Sequence, residues 1–242
     1  MSGHPSNVAP GFVLGLETTG RLTGAALVHD GALVAESAIA ARASSQEWLL
    51  GLVHELLGRQ GLAMSDVTRV AVSIGPGSFT GIRVGLAAAR ALAWGSGRAL
   101  VPVPTHQALA LPWRGQDAPI TLLTSLRRGR VNVEGGRWRD GIWSPWIPAQ
   151  AVPIERVPEM LADIEADSVF VGEAVAAMLE AVPELARLGR PHVDPSSWTR
   201  RPAPVATLGA VLEPVSGEDL DHVDALYLRD ADAQKPRQSR ER

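Results

Sequence analysis

The sequence predicts an α/β protein of two similarly built lobes, and three observations lead there. Short apolar runs bounded by glycine turns open the chain as an antiparallel meander. Helical periodicity then alternates with buried strands. The same order of elements returns in the second half, with little residue identity between the halves, so the duplication is one of element order.

Taken in order, Met1 to Pro10 is polar and reads as a frayed leader, and Phe12 to Glu17 is a short apolar strand ending at Thr18-Thr19-Gly20. Thr23 to Val28 and Ala32 to Ile39 are strands joined by the His29-Asp30-Gly31 turn. Ser44 or Ser45 caps a helix over Gln46 to Gln60, with Leu49, Leu52, Val53, Leu56 and Leu57 on one face and Gly61 as its stop. Arg69 to Ile74 is a buried strand, Ile82 to Trp94 a helix closed by Gly95, and Ala99 to Val103 a strand.

The second half supplies strands at Ile120 to Thr124, Arg130 to Trp138 and Ile142 to Ile147, a helix over Ile154 to Ile164, a strand at Val169 to Val171 and a helix over Ala174 to Ala181. The lobe boundary is expected in Pro112 to Pro119, which has turn composition and no period. Lobes are therefore expected over 1–111 and 118–229. Pro195 to Pro204 is rich in Pro and Ser, and 230–242 reads as a polar, mildly basic, disordered tail containing Lys235, Arg237, Arg240 and Arg242.

Composition narrows the chemistry. The chain has 242 residues and no cysteine, which excludes disulfides, thiolate metal sites and a Cys nucleophile. Its net charge of −3 is too near neutral for bulk electrostatic binding of nucleic acid. Lys235 is the only lysine, so the folded part has no P-loop lysine. No apolar run reaches the roughly 18 to 20 residues a membrane span needs, and the start of the chain has no signal-peptide pattern, so no membrane contact and a cytoplasmic location are expected.

The most informative segment is Ser73 to Trp94, where a strand runs through Gly75-Pro76-Gly77-Ser78-Phe79-Thr80-Gly81 into a helix. Such a junction presents backbone N–H groups and a positive helix end to a phosphate. Thr18, Thr19, Gly75, Gly77, Ser78 and Thr80 are the candidate phosphate-loop residues. The Gly75, Gly77, Gly81 spacing is one residue longer than the dinucleotide fingerprint, and no Gly-Lys-Ser/Thr ending follows, so neither a Rossmann nor a P-loop site is indicated. A nucleophilic Ser78 lacks the flanking glycines of a nucleophile elbow, since Pro76 and Thr80 stand there.

Along the following helix, Gly81, Gly85, Ala88 and Ala89 form a stripe of small side chains continued by Leu92, which suits either an internal helix–sheet contact or a close helix–helix interface. On the interface reading, Gly85→Trp is expected to abolish partner binding while sparing the fold. Metal chemistry finds little support: His54-Glu55-Leu56-Leu57-Gly58 begins like a zincin helix but has Gly58 in place of the second histidine.

Leu14-Gly15-Leu16-Glu17-Thr18-Thr19-Gly20, the run from Gly75 to Leu86 and the late Tyr227-Leu228-Arg229 resemble the TsaB (YeaZ) family of the bacterial machinery that places threonylcarbamoyl on adenosine of tRNAs reading codons that start with A. From Ala118 to Arg201 the likeness is in element order and in Arg127-Arg128-Gly129. The resemblance implies an actin-like, Hsp70-like (ASKHA) fold of two lobes, each a mixed five-stranded sheet flanked by helices. It implies a non-catalytic partner and activator of a TsaD-type transferase, working with a TsaE-type ATPase, meeting tRNA through the complex, and able to form a homodimer with the same surface. The partner-facing residues become Gly81, Arg83, Gly85, Ala88, Ala89 and Leu92.

No catalytic residue or metal ligand carries over, and no cofactor is required, with ATP or ADP at the complex interface the one nucleotide site implied. Glu17 and Ser125 stand where the family usually has Asp, which argues against autonomous ATP hydrolysis. An independent ATPase or serine-type hydrolase using the Ser78 loop is the alternative function.

Overall fold

Among the described residues, three hairpins close in two-residue turns. Asp30-Gly31, Arg128-Gly129 and Asp140-Gly141 each take positive φ at both positions, as the tightest hairpin connection requires. The computed structural model describes residues 10–40, 45–162, 168–191, 194 and 199–228, without the side chains of residues 45 and 125–127. The expected leader before residue 10, the Ser44 cap, the helix end at Ile164, the Ser125 side chain, Arg229 and the tail of 230–242 lie outside what is described.

The described residues form two units. Unit 1 runs through Leu111 and resumes at Thr199–Leu226; unit 2 begins at Pro112, occupies the stretch between, and takes up the chain again at Tyr227.

In unit 1, β1 (Phe12–Glu17), β2 (Thr23–His29) and β3 (Ala32–Ile39) form the meander, followed by α1 (Ser45–Arg59), β4 (Val67–Gly75), α2 (Phe79–Ser96), β5 (Ala99–Pro104) and α3 (Thr105–Ala110). The sheet order is β3-β2-β1-β4-β5. β1 is antiparallel to β2 and parallel to β4, with Leu16 beside Val72.

Alternation decides the two faces of this sheet. Leu14, Leu16, Ala25, Leu27, Val70 and Val72 pack with Leu49, Val53, Leu56 and Leu57 of α1 and Leu86, Ala89 and Ala93 of α2. The other face carries Val13, Gly15 and Ala71. It is covered by a helix the sequence does not announce, α6 (Pro202–Gly209).

The end of the Pro- and Ser-rich stretch, for which no element is expected and which falls in the expected second lobe, is thus helical over 202–209 and part of unit 1. Pro202 is tolerated because it stands in the first turn, where no helical N–H bond is lost. Helix α2 also differs from expectation: it starts at Phe79 because Ser78 caps it, and it ends at Ser96 with Gly97 in the left-handed region, so Gly95 lies inside it.

Unit 2 repeats the plan with β6 (Ile120–Arg127), β7 (Arg130–Arg139), β8 (Ile142–Pro153), α4 (Val157–Leu161), β9 (Val169–Val171), α5 (Val175–Ala181) and β10 (Arg190–Pro191). Its sheet order, β10-β9-β6-β7-β8, is the order of unit 1 written in reverse, so the repeat of element order extends to the arrangement of the strands. The expected Ile154 helix begins instead as a 3₁₀ turn over Ile154–Arg156. Phe170, Met178, Leu161 and Leu185 lie at the centre of the core. Among the described residues no helix is long and apolar enough to cross a membrane.

Candidate functional site

β1 and β4 are parallel neighbours, so their C-terminal ends open at the same edge of the sheet and bring Thr18-Thr19-Gly20 against Gly75–Ser78. This is the place where α/β sheets usually bind ligands. Here the two loops bind each other. Thr18 Oγ1 donates to the carbonyl of Gly81 at 2.6 Å, and the Ser78 amide donates to the Thr19 carbonyl at 2.8 Å.

Several of the backbone donors that could hold a phosphate are occupied inside the protein. The Gly75 amide donates to Thr105 Oγ1 at 3.2 Å, the Gly81 amide to Ser78 Oγ at 3.2 Å, and the Thr19 amide to Glu17 Oε1 at 2.5 Å. Glu17 is fully buried; its Oε1 also accepts from Thr19 Oγ1 at 2.6 Å and its Oε2 from Ser73 Oγ at 2.5 Å. Thr18, Thr19, Gly75 and Ser78, four of the candidate phosphate-loop residues, thus lie together in a self-bonded network. Thr80 stands exposed on the first turn of α2.

Arg200, which sequence reasoning missed, completes the network. Its Nη1 donates to the Thr19 carbonyl at 2.8 Å, the Pro76 carbonyl at 3.3 Å and Thr19 Oγ1 at 3.4 Å. It stands 181 positions from Thr19, and no local pattern marks it.

The hydroxyl of Ser78 is the N-cap of α2, a structural task that explains its place in the loop without nucleophilic chemistry. Among the described residues no group of three His, Asp or Glu side chains is placed to hold a metal ion.

The small-residue stripe divides. A Cβ on Gly81 would overlap the Thr18 carbonyl and one on Gly85 would overlap Thr18 Oγ1, while Ala89 is fully buried in the core. The expectation that Gly81, Gly85 and Ala89 face a partner is corrected, because they provide the close approach of α2 to β1 and β4. With it goes the expectation that Gly85→Trp spares the fold. Leu92 is half-buried and packs against the same core, whereas Arg83 and Ala88 line a surface groove.

That groove lies between α1 and α2 and holds about 320 Å³. Gln46, Leu49 and Leu50 form one wall, and Arg83, Val84, Ala87 and Ala88 the other. Its surroundings are apolar for a free surface: Leu50 is 53% exposed, and Phe79, one turn before Arg83 on α2, is 57% exposed. The Arg83 guanidinium sits 5.4 Å from the centre of the Phe79 ring.

Residues 37–187 match the family model described as TsaD: tRNA N6-adenosine threonylcarbamoyltransferase. The chain is 26% identical over 222 residues to the tRNA threonylcarbamoyladenosine biosynthesis protein TsaB of Bacillus subtilis, covering 92% of this chain and 96% of that one. It is 30% identical over 163 residues to the Escherichia coli protein of the same name, covering 66% of this chain and 70% of that one. The solved structure of YeaZ from Pseudomonas aeruginosa has the same fold, with a TM-score of 0.72 at 22% identity, covering 90% of this chain and all of the other. With a family model across more than half of its length and a curated relative matched almost from end to end, the chain belongs to the TsaB family and carries a TsaD-type domain.

Proposed function

We propose that this chain is the TsaB-type partner and activator of a TsaD-type transferase in the formation of threonylcarbamoyladenosine on tRNAs that read codons starting with A, and that it is the non-catalytic subunit. The observation that carries this reading is the apolar groove between α1 and α2, on a molecule whose glycine-rich loop is closed on itself. A groove walled by Leu49, Leu50, Val84, Ala87 and Ala88 suits helices of a similar fold, because small side chains let a facing helix approach and the aliphatic rim supplies buried area.

In this reading a TsaE-type ATPase and tRNA join through the complex, and any ATP or ADP is held between subunits. A homodimer formed through the same groove competes with the heterodimer, so adding the transferase dissolves it. The test is co-elution with the TsaD-type protein of the same organism, with threonylcarbamoyl transfer to tRNA assayed with and without this chain. A stable complex and strict dependence are expected. Transfer that proceeds equally well without the chain overturns the reading.

A further inference from the structure

We propose that the junction of the two loops is a cation seat occupied by Arg200, so that the chain's own guanidinium, in place of any bound phosphate, holds the loops and the first turn of α2 in position. Three oxygens, the Thr19 and Pro76 carbonyls and Thr19 Oγ1, converge on the single atom Arg200 Nη1 at 2.8 to 3.4 Å. Carbonyl oxygens aimed at one point attract a positive group and repel a phosphate.

The seat is shaped for this side chain. The nearest atoms to a Cβ built on Gly20 are all from Arg200, with Cδ at 2.9 Å, and one built on Gly77 would lie 2.5 Å from Arg200 Nη1. Gly20 thus makes room for the arginine stem and Gly77 for its head. Arg200 is only 6% exposed, which a guanidinium accepts when its donors are satisfied.

The arginine is also held from behind. Arg201 Nη2 pairs with Glu36 Oε2, and Glu36 Oε1 accepts from the Ala203 amide at 3.0 Å, which fixes the entry of α6 to β3. Arg200 and Arg201 therefore tie one short segment to the loops on one side and to the meander on the other. Because the Thr19 carbonyl that binds Arg200 also accepts from the Ser78 amide, release of the guanidinium loosens the cap of α2.

The test uses this chain alone, so it is independent of the transferase reading. Arg200→Ala is expected to lower the melting temperature by about 5 °C. About 20 mM guanidinium chloride, far below denaturing concentration, is expected to restore at least half of that loss in Arg200→Ala and to leave the wild type unchanged. Gly20→Ala is expected to be destabilising in the wild-type background and near neutral in Arg200→Ala, since the clashing stem is gone. A wild-type melting temperature for Arg200→Ala, or a Gly20→Ala penalty that is the same in both backgrounds, overturns the proposal. Should Arg200→Ala not fold, Arg200→Lys carries the test: it keeps the charge but not the planar fork, so faster hydrogen exchange at the Ser78 and Gly81 amides is expected, and unchanged exchange overturns the lock.

Discussion

Thr18 Oγ1 donates a 2.6 Å hydrogen bond to the Gly81 carbonyl, sixty-three positions further on, and so fastens the end of β1 to the first turn of α2. The same side chain lies against Gly85 one helical turn later, leaving no space for a Cβ there. Gly85→Ala improves helix propensity by about 1 kcal/mol but forces the helix off the sheet, at a cost of about 1 to 3 kcal/mol. A net loss of about 1 kcal/mol in urea unfolding is expected for Gly85→Ala, and no folded protein for Gly85→Trp.

The groove between α1 and α2 is tested by residues that carry little of the fold. Leu50→Glu and Ala87→Arg alter exposed positions, so melting temperatures within about 2 °C of wild type are expected. Each is expected to weaken binding of the TsaD-type transferase at least tenfold, or about 1.4 kcal/mol, by titration calorimetry. Wild-type affinity in both variants would place the interface elsewhere.

Ser78→Ala separates a cap from a nucleophile. Loss of the N-cap bond costs about 1 kcal/mol of stability. Threonylcarbamoyl transfer by the reconstituted complex is expected to stay within a factor of two of wild type at 25 °C, whereas a serine-dependent reaction would lose essentially all activity.

Glu36 supplies the first turn of α6 with an acceptor that the helix's own N-cap residue, Arg201, does not provide. Its ion pair with Arg201 has a half-exposed partner and is worth little by itself. Glu36→Ala is therefore expected to cost about 1 kcal/mol in urea unfolding, and Glu36→Gln, which keeps an acceptor oxygen for the Ala203 amide, about half of that.

Much of the fold was legible because its signals are local. Asp-Gly pairs between alternating runs mark the β2–β3 and β7–β8 hairpins, and Leu49, Leu52, Val53, Leu56 and Leu57 show the buried side of α1. What escaped depends on distant chain. α6 was not expected, because a Pro- and Ser-rich stretch shows no helical period at its start; its prolines stand in the first turn, where they cost nothing. The small stripe of α2 was visible by its period, but period does not say whether a sheet or a partner lies against it; Thr18 decides that. Glycines near a strand end suggested phosphate, whereas Gly20 and Gly77 give way to Arg200, which no spacing rule connects to them.

The return of α6 to unit 1 has a consequence for how the protein is made. The helix covering Gly15 is encoded after the strands of unit 2, with its Ala206 Cα at 2.7 Å from where a Gly15 Cβ would be. During vectorial synthesis the face of β1 that carries Val13 and Gly15 stays bare until residue 209 has left the ribosome, while strands β6 to β10 of unit 2 have already emerged. The sheet begun first is covered late, and a ribosome stalled before that point presents an open apolar face to chaperones and proteases.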